Sequence, residues 1–122
     1  VLGQKKKRYR DDKYKAWVKK QPCSWCGDHG DDPHHGIGMG LSGMALTAPD
    51  WALMSMCRSC HTAIHNMPHS WYLQWSWIYN TIMKAMDSGF FDWVIINVEF
   101  GYIDQETMEN TVRDLAKQIE GK

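Results

Sequence analysis

Nine residues, Cys57 to His65 (CRSCHTAIH), constrain this chain more than any other stretch. They overlay a Cys-x-x-Cys pair on a His-x-x-x-His pair. Residues four apart on a helix lie one above the other on one face, so His61 and His65 can close on a single ion. Cys57 and Cys60 offer thiolates to a different one. A second Cys-x-x-Cys pair, Cys23 and Cys26, lies upstream, with 30 residues between Cys26 and Cys57. Two residues between cysteines suit a metal knuckle, whose turn amides point at the sulfurs. The four cysteines therefore predict one structural zinc site in preference to two disulfides or a redox pair.

The rest of the chain reads as what completes these half-sites. A helix is predicted from Asp11 to about Lys20, with carboxylates at its start, lysines at its end, and Tyr14, Trp17 and Val18 facing the body. Pro22 ends it and presents the first knuckle, PCSWCG, where Gly27 can supply a positive φ. The glycine-rich segment 28–49 reads as loop with one short strand carrying His34 and His35. Trp51 to Met56 reads as its partner strand and delivers Cys57. A helix from about Arg58 to Asn66 follows, broken by MPHS. Ser70 then caps a longer helix to about Asp87, with Trp71, Trp75, Ile78, Ile82 and Met86 as its apolar stripe. The tryptophan stripe reads as core. After Gly89 come a strand over FDWVIINVEF and a last helix, capped by Asp104, that places Ile103, Met108, Val112, Leu115 and Ile119 on one face.

At 122 residues the chain makes one α+β domain with a modest core. The expected organisation is a basic flexible arm over 1–10, the metal-bearing unit over 11–88, and a strand and helix over 89–122 packed on it. No apolar run approaches the roughly 20 residues that span a bilayer, and a cytoplasmic location is the default expectation. The net charge of zero hides an asymmetry: residues 1–20 hold nine Lys or Arg against two Asp, while the remainder holds five against twelve. A basic arm ahead of an acidic body is a nucleic-acid layout, and Lys5, Lys6, Lys7, Arg8 and Arg10 are its candidate phosphate contacts. Arg58, at the start of the metal-bearing helix, is another.

The order Cys-x-x-Cys, His-His, strand, Cys-x-x-Cys-His-x-x-x-His makes a small zinc-bound treble clef with flanking helices. Adjacent strand residues point to opposite sides, so one histidine of the 34/35 pair can face an ion while the other does not. A neutral imidazole near its pKa suits proton abstraction from water, and a divalent cation suits the charge of a phosphodiester.

The basic helix into PCSWCG, then DPHHGIG, a Gly-Met-rich loop, APDWALMSMCRSCHTAIH and a Trp-rich segment together resemble the HNH (ββα-metal) endonucleases. More narrowly they resemble the phage-encoded group of RecA-dependent recombination-enhancement nucleases. The resemblance covers about residues 8–75 and stops short of Phe90. It implies that His34, with His61 and His65, ligates one catalytic divalent ion: Mg or Mn, with Zn and Ni as alternatives. It implies His35 as general base, and DNA products with 5′-phosphate and 3′-hydroxyl ends. It also implies DNA as partner, with a recombinase filament as a second one. The family's orienting Asn falls on Ala52 here, so Asp50, or the backbone around it, is the expected substitute. Two other readings stay open on sequence: a non-catalytic zinc module that binds DNA or a recombinase, and a protein-interaction domain working through the tryptophan helix.

Overall fold

The computed structural model describes residues 9–41, 47–67, 69–91 and 105–121. Helix α1 (Asp12–Lys19) leads through the first knuckle to strand β1 (Asp32–His35). A 3-10 turn (Asp50–Ala52) then opens strand β2 (Leu53–Met56), followed by helices α2 (Arg58–His65), α3 (Trp71–Asp87) and α4 (Gln105–Glu120). Among the described residues the architecture is α+β: one two-stranded antiparallel sheet among four helices. Among the described residues no helix is long and apolar enough to cross a membrane.

Strand β2 is buried along its whole length, and its two faces go to different partners. Leu53 joins Tyr14 and Val18 of α1 and Ala85 of α3 in one cluster. Met54 and Met56 join the larger cluster with Ile64 of α2 and Trp75, Ile78 and Ile82 of α3. Register pairs His34 with Met54 and His35 with Leu53. Directly opposed residues of an antiparallel pair share a face, so His34 turns toward α2 and α3 and His35 turns the other way. Helix α4 lies on α3 through Val112, Leu115, Ala116 and Ile119. Two contacts fix it there: Trp51 Nε1 donates to Glu120 Oε1 at 3.0 Å, and the Arg113 guanidinium sits 5.1 Å from the Trp75 ring centroid.

Asp11 caps α1 as expected, its Oδ1 accepting from Tyr14 N at 3.0 Å. Other expectations are corrected. Asp50 to Ala52 turn instead of extending, because Ala52 N donates to Pro49 O and the Asp50 carboxylate is drawn to Asp11 N. Ser70 has φ −86° and ψ 3°, not the extended backbone of a capping residue, and its hydroxyl accepts from Gln74 instead. Trp71 is 38% exposed and so leaves the apolar stripe that Trp75, Ile78, Ile82 and Met86 do form. Tyr9 and Arg10 are not arm: Tyr9 O accepts from Asp50 N, and Arg10 binds Ala48 O at 2.8 Å and Thr47 Oγ1 at 2.7 Å. Lys5, Lys6, Lys7 and Arg8, the strand expected over 91–100 beyond Phe91, Ile103 and the Asp104 cap lie outside the described residues.

Candidate active site and metal centre

The two knuckles meet at the head of α2. Gly27, at φ 80°, closes the first, its N–H donating to Cys23 O at 3.0 Å. The knuckle is then pinned to β2 by Ser24 N donating to Ser55 O at 2.8 Å. Cys57 is the N-cap of α2, and its sulfur accepts from Cys60 N at 3.5 Å. All four thiols are free of disulfides, and Cys23, Cys26, Cys57 and Cys60 place their sulfurs within 4.8 Å of one another. The Cys60 amide and the Ser59 hydroxyl pull Cys57 down to about 6. Burial, together with the crowding of Cys57, Cys26 and Cys23, pushes Cys60 well above the usual thiol range. Four thiolates this close repel one another, and a shared cation is what allows all of them to ionise. This cluster could hold a structural metal such as zinc.

One residue after Cys60, the helix has rotated by about 100° and a different face begins. His61 and His65 stand there one turn apart and meet His34 from β1. Ring centroids are 4.8 Å apart for His34 and His61, 5.4 Å for His34 and His65, and 4.9 Å for His61 and His65. One nitrogen from each lies within 4.8 Å of the others. Hydrogen bonds select which nitrogens are free. The Gln74 amide nitrogen donates to Ile37 O and Ser70 Oγ, so its Oε1 must accept, from Ile37 N at 2.8 Å and from His34 Nε2 at 3.3 Å. His34 therefore carries its proton on Nε2 and leaves Nδ1 as donor atom. His61 Nδ1 faces Asp32 Oδ2 at 3.1 Å, which leaves Nε2. Burial, and then the neighbouring His61, push His34 down to about 4, so it stays neutral and able to ligate. Against His61, Asp32 is held below the usual carboxylate range. Three imidazoles, two of them backed by an amide or a carboxylate, are a fitting donor set for a divalent ion. The cluster grades from buried His34 to exposed His65, so one side faces solvent.

His35 points to the opposite face, where its Nε2 lies 2.8 Å from Asp50 Oδ1. Asp50 is buried, yet ionised: burial alone would raise its pKa, but the Asp11 amide, His35 and Arg10 together lower it. Arg10 reaches Oδ1 at 3.3 Å, and Asp11 N donates to Oδ2 at 2.8 Å. With Nε2 facing an anchored carboxylate, His35 keeps Nδ1 as its other ring nitrogen, and its side chain is 20% exposed.

Of the residues singled out in the sequence, the structure brings together the four cysteines, His34 with His61 and His65, and the His35–Asp50 pair. Arg58 is largely exposed, its backbone N–H bound by Asp31 Oδ2 and its guanidinium 3.5 Å from Asp32. Arg10 serves Asp50 instead of an arm. His29 and His69 belong to neither cluster and are exposed, as expected. Sequence reasoning missed Gln74, Asp32 and Asp31. Gln74 was visible as the one long polar side chain on the buried face of α3. Asp32 lies two residues before His34, hence on the same face of β1.

Residues 2–91 match the family described as "Protein of unknown function (DUF968)", and the chain belongs to that family. It is also similar to YdfU of Escherichia coli (strain K12), an uncharacterized protein, with 46% identity over 61 residues. That match takes in 50% of this chain and only 18% of the relative's length. No solved structure matches.

Proposed function

We propose that this member of the family is a metal-dependent DNA endonuclease of the HNH type, a zinc-bound treble clef whose Cys23, Cys26, Cys57 and Cys60 hold the structural ion. The observation that carries this reading is the division of labour between two adjacent residues. His34 joins a three-histidine cluster, while His35, the last residue of β1, is backed by a buried carboxylate and would approach the same phosphate from another direction. A structural role needs neither the graded exposure of the first nor the oriented lone pair of the second.

His34, His61 and His65 would hold a divalent ion (Mg or Mn, with Ni and Zn as alternatives), which would supply positive charge for the scissile phosphate and the departing 3′ oxygen. Gln74 and Asp32 keep two of the imidazoles in the ligating tautomer. His35 Nδ1 takes a proton from water as the water oxygen bonds to phosphorus. The bond from phosphorus to the 3′ oxygen breaks, and that oxygen takes a proton from solvent, leaving 5′-phosphate and 3′-hydroxyl ends. Asp50 stabilises the imidazolium as it forms, and Arg10 and the Asp11 amide hold Asp50. This makes Asp50 the substitute for the Asn that the HNH pattern puts at Ala52. Lys5, Lys6, Lys7, Arg8 and the exposed Arg58 add salt-dependent affinity for the DNA backbone. One copy of such a site nicks one strand, and a recombinase filament is the second partner this reading brings.

The alternative, a non-catalytic zinc module binding DNA or a recombinase, uses the cysteines but gives the His35–Asp50 contact no task. The two separate in a plasmid-nicking assay on zinc-loaded protein with added Mg or Mn, with and without a recombinase filament. His35→Ala should cut about 10²- to 10⁴-fold more slowly, with an unchanged circular dichroism spectrum. Nicking by the variant at the wild-type rate removes His35 as the base. No nicking of any substrate by the wild type favours the binding module.

A further inference from the structure

Beside the histidine cluster a cavity of about 280 Å³ opens between the 37–38 segment, the end of α2 and the start of α3. Ile37, Ile64, His65, Met67, His69 and Trp71 line it. Two features tie it to the cluster. His65 belongs to both. Gln74 grips Ile37 through N and O at 2.8 Å each, while its Oε1 lies 3.3 Å from His34. The cavity wall and the ligand histidine are therefore fixed by one buried side chain.

The rim is unusual in two respects. Trp71 is 38% exposed and Tyr72 45% exposed, their rings edge to face at 6.3 Å, on a helix whose other two tryptophans are buried. His69 has φ 59°, the one positive value among the described non-glycine residues, and strained backbone of this kind gathers at binding sites. The volume lies just under the range of about 300–1,000 Å³ that holds drug-sized ligands. It suits one planar ring system and excludes a duplex segment. A flat indole, aliphatic walls and a histidine edge next to the proposed metal centre match a nucleotide unit, with its base in the cavity and its phosphate at the histidines. Duplex DNA keeps its bases stacked inside, so such a base must come from a single strand or an opened one.

We propose that this cavity seats one unpaired nucleobase, stacked on Trp71, from the strand whose phosphate is hydrolysed at the His34–His61–His65 cluster. This rests on the nuclease reading and adds to it a preference for single-stranded or locally opened DNA.

The test is equilibrium binding by fluorescence anisotropy, using the full zinc-loaded chain without a second metal. The probes are a labelled single-stranded oligonucleotide, its duplex, and the same backbone with abasic sites throughout. The single strand should bind about tenfold tighter than the abasic strand, the scale of one base–aromatic stack. It should also bind tighter than the duplex. Trp71→Ala should abolish the preference over the abasic strand, and Trp71→Phe should keep most of it, both with wild-type circular dichroism. Equal binding of normal and abasic strands by the wild type overturns the proposal. So does a Trp71→Ala variant that keeps the discrimination or loses affinity for both strands equally. Binding is read without cleavage, so a protein that discriminates but never nicks upholds the cavity and refutes the nuclease. One that nicks without discriminating does the reverse.

Discussion

The sulfur cluster and the histidine cluster share helix α2 and differ in almost everything else. The sulfurs come from one tight turn and from the N-cap and first turn of α2, and they are organised by backbone amides such as Cys60 N on Cys57. With four donors, nothing is left open. The histidines come from a strand and a helix face and are organised by side chains, Gln74 behind His34 and Asp32 behind His61. Three donors, graded from buried to exposed, leave one side of the cluster open to solvent. Backbone-organised donors make a site that is part of the fold. Side-chain-organised donors make one that the fold can carry with or without its ion. Cys60 and His61, neighbours in the chain, belong one to each kind.

The comparison breaks first under chelation. Stripping the sulfur-bound metal should remove folding free energy on the order of 10 kcal/mol and unfold the region from about 22 to 66. Circular dichroism reads this directly, and an unchanged spectrum in metal-stripped protein contradicts a structural role. Withholding only the second metal should leave the spectrum as it was.

Acid should sharpen the contrast next. His34 titrates near 4 in the folded protein, below the ordinary histidine value of about 6.5. The unfolded chain therefore takes the proton first. Stability is complete above about pH 6.5 and is lost progressively down to about 4, by an amount on the order of 3 kcal/mol. Denaturant melts of zinc-loaded protein without a second metal check this. His34→Gln should show a shallower decline across that window, and equal slopes would remove His34 as the cause.

Gln74→Leu is the smallest of the three. It leaves the Ile37 N–H and carbonyl without their partner, at a cost of about 1–3 kcal/mol, and frees the His34 ring. Affinity for the second metal should fall about 10- to 100-fold, while zinc content stays at one per chain. Metal titration against a competing chelator measures both, and loss of zinc in this variant would show the two clusters to be coupled.

Much of this was legible in the sequence because motif spacing and helix geometry act locally. The cysteine pairs, the His61–His65 face, the 34/35 alternation and the Asp11 cap each depend on residues a turn or a strand step apart. What was missed depends on tertiary approach. Arg10 reads as one more charge of a basic run, and only the packing of 47–50 against the start of α1 turns it toward Asp50. Trp71 fits the α3 stripe by spacing, yet it lies at the helix end, where the body no longer covers that face. The Asp50–Ala52 turn shortens the strand read over WALMSM to Leu53–Met56, because Asp50 is held by two residues some distance away in the chain, Asp11 and His35.

The most direct measurement is the nicking rate of protein holding one zinc per chain as a second divalent ion is titrated in. The account predicts a folded, inactive protein at one zinc and activity that rises with the second ion in wild type. In His61→Ala, which keeps all four sulfurs, that rise should be absent or shifted to far higher metal. Full activity with one zinc, or a wild-type response in His61→Ala, would contradict it.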